Sequence, residues 1–234
     1  MVHWEDVGIA IRAQTPVTPD GVWSGAAILD ANGVPVLFIT AGNDSLSPNQ
    51  GVAICRPDDL NDPYLKDWTC DDELAISQQQ GIGSFGQFRD PFVVKVGDTY
   101  MVLITSASTS VDSGTALVYS STDLETFTYQ GELYTTASGA YSYLGDNWEL
   151  PVLLPLNDEN GNLTDKWFFA ISPHPPSRAD VEVYYWIGTL DDETFRFSPD
   201  HPEPKIMDYG DGVFTGPSGF VDPVTGKSIL FTIA

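Results

Sequence analysis

The sequence predicts an all-β protein whose strands form the blades of a β-propeller. Helical periodicity is nearly absent, and short apolar runs alternate throughout with turns of Gly, Pro, Asn and Asp. A strand–turn–strand unit also recurs at a nearly constant interval along the chain. Four antiparallel strands repeated at a fixed interval are typical of a propeller, in which each repeat is one blade.

Four such units follow one another. They begin at Ser24, Arg89, Glu149 and Thr215, so their starts are 65, 60 and 66 residues apart. A third and a fourth strand follow each of the first three hairpins, as in "GTALVYSS" and then "TFTYQGELY". The opening "HWEDVGIAI" aligns with these fourth strands, and the final "SILFTIA" stops after a second strand. We expect about three full blades plus two incomplete ones, in a single domain spanning residues 1–234.

The charge limits the classes of partner. The 234 residues include 33 acidic and 10 basic side chains, which gives a net charge of −23 at pH 7. Nucleic acid and anionic membrane surfaces would be repelled, so neither is expected, whereas a neutral ligand such as a sugar is compatible. We expect an extracellular location, although the first residues do not have the pattern of a signal peptide.

The cysteines and histidines give weaker indications. Cys55 and Cys70 lie in neighbouring predicted strands, where a disulfide and two buried free thiols are both compatible with the sequence. His3, His174 and His201 lack the spacing of metal ligands. Each histidine is therefore interpreted as structural or exposed, and no metal site is predicted.

Charged residues open two of the predicted inner strands. Arg89 and Asp90 stand directly before Pro91, and Glu149 opens the next unit. Considered alone, Asp90 is also compatible with a turn residue, and Glu149 is also compatible with a solvated strand end. Because the first strands of all blades enter the central channel at the same end, the repeat brings Ser24, Asp90 and Glu149 to one rim. Two carboxylates facing each other there are what glycoside hydrolysis requires.

Five segments resemble motifs of glycoside hydrolase family 32, the invertase, inulinase and levanase family. In chain order they are "VHWEDVGIAI", "GVWSGAAILDANGVPVLFITA", "FRDP", "NWELP" and "MDYGDGVFTGPSGFVDPVTGKSILF". Each motif is weak alone, but five in the right order and spacing are specific. The resemblance implies that the chain is part of a five-bladed β-propeller catalytic domain.

The resemblance also implies roles for individual residues. Asp90 matches the carboxylate that hydrogen-bonds fructosyl hydroxyls and stabilises the transition state, with Arg89 holding that network. Glu149 matches the general acid/base. The remaining implied substrate-binding positions shape or wall the fructose pocket, and they are Trp23, Ser24, Trp148 and Tyr209.

Two positions depart from the family pattern. Leu150 stands where most members have Cys beside the acid/base. The nucleophile motif, Trp-Met-Asn-Asp-Pro-Asn-Gly, has no counterpart in phase with the inner strands, because Asn61-Asp62-Pro63 falls between a third and a fourth strand. We therefore expect a fragment of a longer enzyme that is inactive by itself.

The function implied is that of a retaining β-fructofuranosidase acting on sucrose or on fructans such as inulin or levan. No metal or organic cofactor is implied. One alternative is a fructosyltransferase of the same family, in which a sugar hydroxyl replaces water as the acceptor. The other is a sugar-binding propeller without catalysis, which the missing nucleophile favours.

Overall fold

The protein is all-β, as expected. The structure is a computed structural model that describes residues 3, 5–14, 16–174, 182–210 and 214–233. Within these ranges it contains sixteen strands and one 3₁₀ helix, Ser142–Leu144. The strands are β1 (Gly21–Leu29), β2 (Pro35–Gly42), β3 (Gln50–Pro57), β4 (Trp68–Cys70), β5 (Ile76–Ser77), β6 (Arg89–Val96), β7 (Thr99–Ala107), β8 (Gly114–Ser121), β9 (Thr128–Glu132), β10 (Asn147–Asn157), β11 (Leu163–His174), β12 (Tyr184–Asp191), β13 (Arg196–Pro199), β14 (Lys205–Ile206), β15 (Thr215–Val221) and β16 (Ser228–Ile233).

The strands form four antiparallel sheets, each of which is a blade or part of one. Blade 1 has the order β1-β2-β3-β4, blade 2 the order β6-β7-β8-β9 and blade 3 the order β10-β11-β12-β13. The short strands β5 and β14 add to β3 and β12, and β15 pairs with β16 as a half blade. Three complete blades and a two-stranded incomplete blade are therefore present.

The described residues at the start of the chain do not form the expected strand. The described residues of "HWEDVGIAI" belong to no strand, and Val7 and Ile9 are exposed. A fourth strand is held by hydrogen bonds to a third strand, and no such neighbour lies beside this segment among the described residues.

The inner strands lie side by side, which places their starts at one rim. β1 contacts β6, β6 contacts β10 and β10 contacts β15. Apolar side chains fill the space between neighbouring blades, with Phe38 and Val102 in one core cluster and Leu103 and Phe169 in another. β6 and β10, which have a neighbour on each side, are more buried than β1.

Each inner strand begins with the same irregularity. The pairing register shifts near the start of each one, between Trp23 and Gly25, Arg89 and Phe92, Glu149 and Val152, and Thr215 and Ser218. In the last three, a residue with positive φ precedes a proline: Asp90 at 56°, Leu150 at 52° and Gly216 at 58°. The repeat therefore aligns Arg89 with Glu149, and Asp90 with Leu150.

The two cysteines are joined. Cys55 in β3 lies opposite Cys70 in β4, and the two form a disulfide across the strand pair. The structure thus selects the disulfide from the two alternatives left by the sequence. Over the same described ranges, the structure contains no helix of the length and apolar character needed to cross a membrane.

Candidate active site

A cavity of about 470 Å³ opens at the rim where the inner strands begin. Blade 1 contributes residues from the start of β1 and of β3, blade 2 the start of β6, and blade 3 the start of β10 with the end of β11. The lining residues are Trp23, Ser24, Gln50, Gln87, Arg89, Asp90, Glu149, Leu150 and His174.

An ion pair between blades 2 and 3 forms one side of the cavity. Arg89 donates from Nε and Nη2 to the same oxygen of Glu149, Oε1, at 2.9 and 2.8 Å. The side chains are 10% and 27% exposed, so the pair is shielded from water but open toward the cavity. Charge-assisted bonds of this kind fix both distance and orientation. The Oε2 atom of Glu149 has no hydrogen-bond partner within the described ranges.

Asp90 is the most buried charged residue in the lining, at 6% exposure. Its Oδ2 accepts the backbone N–H of Leu150 at 3.1 Å, and its own N–H donates to Thr40 Oγ1 at 2.7 Å. Burial raises the pKa of Asp90 to about 6; the Leu150 N–H and the charge of Arg89 oppose the rise, and the charge of Glu149 adds to it. The carboxyl is thus held at the cavity in an environment that favours its neutral form.

A second layer of polar side chains holds the ion pair in place. Arg89 Nη1 donates to Gln87 Oε1, which also accepts from Asn147 Nδ2 at 3.1 Å. Neither Gln87 nor Asn147 is among the site residues that the sequence predicts. Their signal is positional, since Gln87 stands two residues before Arg89 and Asn147 two residues before Glu149 in aligned repeats.

His174 also belongs to the site, although the sequence interpretation assigns it no role there. It is the last residue of β11 and lies opposite Asn147 at the start of β10. Its Nδ1 is 3.5 Å from Glu149 Oε1, and its side chain is 43% exposed. Antiparallel pairing explains the position, because the second strand of a hairpin returns to the end at which the first strand began.

Two of the expected substrate-binding residues are placed elsewhere. Trp148 is fully buried and packs against Phe169 and Trp186, so the expectation that it walls the cavity is wrong. Successive side chains of a strand point to opposite faces, and Trp148 therefore points into the blade core while Glu149 faces the cavity. Tyr209 is 86% exposed and does not line the cavity. This position likewise corrects the expectation that it forms a wall.

The other expected residues do meet at the cavity. Trp23, Ser24, Arg89, Asp90 and Glu149 all line it. The arrangement offers one buried carboxyl and one half-buried carboxylate held by a guanidinium. Within the described ranges, no group of three or more His, Cys, Asp or Glu side chains is placed to hold a metal ion.

The family of the chain is identified by a match to a protein-family model. The model of the "Glycosyl hydrolases family 32 N-terminal domain" matches residues 1–233. The chain belongs to glycosyl hydrolase family 32. Its resemblance to that family in the five sequence motifs is thereby confirmed.

Curated family 32 relatives match the whole chain. An acid beta-fructofuranosidase of Vigna radiata var. radiata is 27% identical over 99% of the chain and 36% of its own length. A fructan 1-exohydrolase of Bromus pictus is 29% identical over 99% of the chain and 38% of its own length. The chain thus spans less than half the length of these relatives.

Solved family 32 structures share the fold. Fructan 1-exohydrolase IIa from Cichorium intybus superposes with a TM-score of 0.77 at 21% identity, over 94% of this chain and 41% of that one. Sucrose-6-phosphate hydrolase from Lactobacillus gasseri gives 0.75 at 23% identity, over 95% and 43%. The fold is therefore part of the five-bladed β-propeller that was expected.

Proposed function

We propose that residues 1–234 are a single incomplete propeller domain that carries the acid/base half of a retaining β-fructofuranosidase active site. Glu149 is the general acid/base, Asp90 stabilises the transition state, and Arg89 positions Glu149. The observation that carries the proposal is the meeting of Asp90 and Glu149 in one cavity, each held by a different contact. Family membership supports a glycosidase, since the relatives named above are a β-fructofuranosidase and a fructan exohydrolase.

The contacts of Glu149 suit a group that gives up and regains a proton. Arg89 binds only Oε1, which leaves Oε2 free to carry the proton toward the oxygen of the scissile bond. A general acid must reach the leaving oxygen directly. Glu149 is exposed enough to do so, because 27% of its side chain is open.

The contacts of Asp90 suit a group that binds hydroxyls rather than moves protons. Its Oδ2 is held by the Leu150 N–H, so Oδ1 remains available to the ring hydroxyls of a fructosyl unit. A buried carboxylate gains most from such bonds as positive charge develops in the oxocarbenium-like transition state. Trp23 and Ser24 would complete the pocket from blade 1.

The reaction also needs a nucleophilic carboxylate, which has no counterpart in the sequence of this chain. Supplied from outside the 234 residues, that group would attack the anomeric carbon while Glu149 protonates the leaving oxygen. Glu149 would then deprotonate the water that cleaves the resulting ester. Transfer to a sugar hydroxyl would use the same residues with a different acceptor.

The substrates proposed are neutral fructosides, either sucrose or a β-linked fructan. The net charge of −23 is compatible with a neutral sugar and unfavourable to polyanions. Export from the cell is supported by the disulfide between Cys55 and Cys70, since disulfides persist in oxidising compartments.

A sugar-binding propeller without catalysis is the second candidate, and the missing nucleophile motif favours it. The two candidates differ in their need for Glu149. Binding alone requires no acid/base, so substitution of Glu149 would then weaken sugar affinity without any separate effect on a chemical step.

The test uses the full-length protein that contains this chain. Glu149→Ala should lower kcat on sucrose by about 10²–10⁴-fold. On a fructoside whose leaving group needs no protonation, added azide should restore turnover by attacking the fructosyl-enzyme to give a fructosyl azide, because a small anion needs no general base. Asp90→Ala should be equally slow but insensitive to azide, since it lacks transition-state hydrogen bonds rather than a proton donor. Unchanged turnover in Glu149→Ala would contradict the proposal.

A further inference from the structure

The carboxamide of Gln87 has a fixed orientation. Its Oε1 accepts from Arg89 Nη1 and from Asn147 Nδ2, the latter at 3.1 Å. A guanidinium can only donate, so the atom that faces Arg89 must be the oxygen. The amide nitrogen, Nε2, is thereby turned away from both partners.

The Nε2 group of Gln87 remains available to a ligand. Gln87 is half-buried and lines the cavity, and no residue in the described ranges accepts a hydrogen bond from its Nε2. An amide whose oxygen is held by two donors is pre-organised, so little rotamer entropy remains to be lost when the nitrogen donates to a ligand. Sugar hydroxyls are suitable acceptors for such an N–H.

The position of Gln87 indicates which part of a substrate it would meet. Gln87 lies just before β6 and precedes Asp90 by three residues, which corresponds to at most about 10 Å of extended chain. Asp90 lies deeper, at 6% exposure, and Arg89 joins Gln87 to Glu149. If Asp90 holds the fructosyl ring at the bottom, the group beyond the bridging oxygen extends outward past Glu149 toward Gln87.

We propose that Gln87 is a specificity-determining residue whose N–H donates to a hydroxyl of the leaving group. This inference rests on the proposed function, because it takes the fructosyl unit to occupy the Asp90 end of the cavity. Gln87 favours fructosides whose leaving group is itself a sugar over those whose leaving group is a simple alcohol. The Arg89 and Asn147 contacts serve to aim the donor.

A purely positioning role for Gln87 predicts a different result. If its only task were to hold Arg89, any damage would pass through Glu149 and would slow fructosides that release a simple alcohol at least as much as those that release a sugar. Gln87→Glu separates the two roles, because it keeps an oxygen for Arg89 and Asn147 while it replaces the N–H donor with an acceptor. Its added negative charge acts on Glu149 with every substrate, and a weaker general acid slows the release of a simple alcohol at least as much as the release of a sugar. The charge therefore cannot produce a loss that is larger on a substrate with a sugar leaving group.

The experiment compares sucrose with methyl β-D-fructofuranoside, whose leaving group has no hydroxyl besides the one formed by cleavage. In the full-length protein, Gln87→Glu should lower kcat/KM for sucrose by about 3- to 10-fold more than for the methyl fructoside, the loss of one neutral hydrogen bond. Gln87→Met, which removes the donor without adding charge, should change the ratio in the same direction. It serves as the second variant if Gln87→Glu does not fold. Gln80→Glu adds the same charge at an exposed glutamine outside the cavity and should leave the ratio unchanged.

The outcomes distinguish this inference from the proposed function. A loss on the methyl fructoside that equals or exceeds the loss on sucrose, or no loss on either, would overturn the role of Gln87 while leaving fructoside hydrolysis established. A wild-type protein that hydrolyses neither fructoside would overturn both. A loss of kcat/KM that is larger on sucrose than on the methyl fructoside supports Gln87 as the leaving-group contact.

Discussion

The inner strands β6 and β10 begin with the same backbone and opposite chemistry. In both, the pairing register shifts and a residue with positive φ stands before a proline, Asp90 at 56° in one and Leu150 at 52° in the other. The preceding residues, Arg89 and Glu149, bind each other across the blades at 2.8 Å. The first pair of equivalent positions, Arg89 and Glu149, thus carries a cation and an anion. The second pair, Asp90 and Leu150, carries a buried carboxyl and an apolar side chain.

The difference shows how a repeat builds an asymmetric site. The bulge belongs to the fold, since the half blade has it too, with Gly216 at the strained position. Glycine adopts positive φ without strain, whereas Asp and Leu do so at a cost of about 1–2 kcal/mol. Strain at Asp90 and Leu150 therefore accompanies the two blades that supply the carboxyl groups, which is where strained residues tend to cluster.

The largest expected effect comes from breaking the ion pair that joins the two strand starts. Arg89→Met leaves Glu149 without its charge-assisted bonds, and the free energy of unfolding should fall by about 1.5–3 kcal/mol. Arg89→Lys should recover only part of this loss, because an ammonium cannot bind in the geometry of Nε and Nη2. Urea denaturation measures both. The control is Arg56→Met, whose exposed 3.5 Å pair with Asp71 should contribute less than about 1 kcal/mol; an equal loss at the two arginines would contradict the account.

The next effect contrasts two tryptophans near the starts of inner strands. Trp148 is fully buried, so Trp148→Phe should destabilise the protein by about 1–3 kcal/mol while leaving KM for sucrose nearly unchanged. Trp23 is 38% exposed and lines the cavity, so Trp23→Phe should raise KM for sucrose while leaving the stability nearly unchanged. Thermal melting and steady-state kinetics on both variants test the assignment. A raised KM in Trp148→Phe with unchanged stability would restore it to the cavity wall.

An effect of comparable size, but dependent on pH, is expected at Asp90. Burial raises its pKa from 3.8 to about 6, so its ionisation destabilises the folded state. The stability that this carboxyl contributes is fully present below about pH 4 and is lost as the pH rises through about 6. Asp90→Asn should therefore increase the free energy of unfolding by about 1–3 kcal/mol at pH 7.5 and lose that advantage at pH 4. Denaturation curves at the two pH values provide the check, and a gain independent of pH would refute the linkage.

The smallest effect is predicted at Leu150. Leu150→Gly relieves a positive φ, worth about 1 kcal/mol, and removes a half-buried side chain of similar value. The unfolding free energy should therefore change by less than about 1 kcal/mol. The matched variant is Leu153→Gly, in the regular and fully buried part of the same strand, which should cost more than about 3 kcal/mol. Similar losses at both leucines would mean that the bulge stores no strain.

The repeat made most of the fold predictable. The nearly constant interval between Arg89, Glu149 and Thr215 predicts the hairpins. The alignment of these hairpins predicts that their first strands begin at a common rim. The described residues of the opening "HWEDVGIAI" form no strand, because a repeat phase predicts where a strand would lie but not whether a neighbour is present to pair with it.

The site was predictable in its charged residues and not in their neighbours. Asp90 and Glu149 stand out because charge at the start of a buried strand is costly. The expected position of Trp148 in the cavity is wrong because neighbouring residues of a strand point to opposite faces, so Trp148 points away from the cavity that Glu149 faces. His174 was missed because its role depends on the pairing of β11 with β10, which brings together residues that are far apart in sequence.

Asp90 and Glu149 are proposed to act on the same fructosyl unit in different ways. A crystal structure of the full-length Glu149→Gln variant with bound sucrose tests it most directly, because the substitution removes the acid while keeping the shape of the site. We expect the fructosyl ring in the rim cavity, with Asp90 within about 2.6–3.2 Å of a ring hydroxyl and the substituted amide at a similar distance from the bridging oxygen. A sugar bound elsewhere, or in reach of only one of the two side chains, would contradict it.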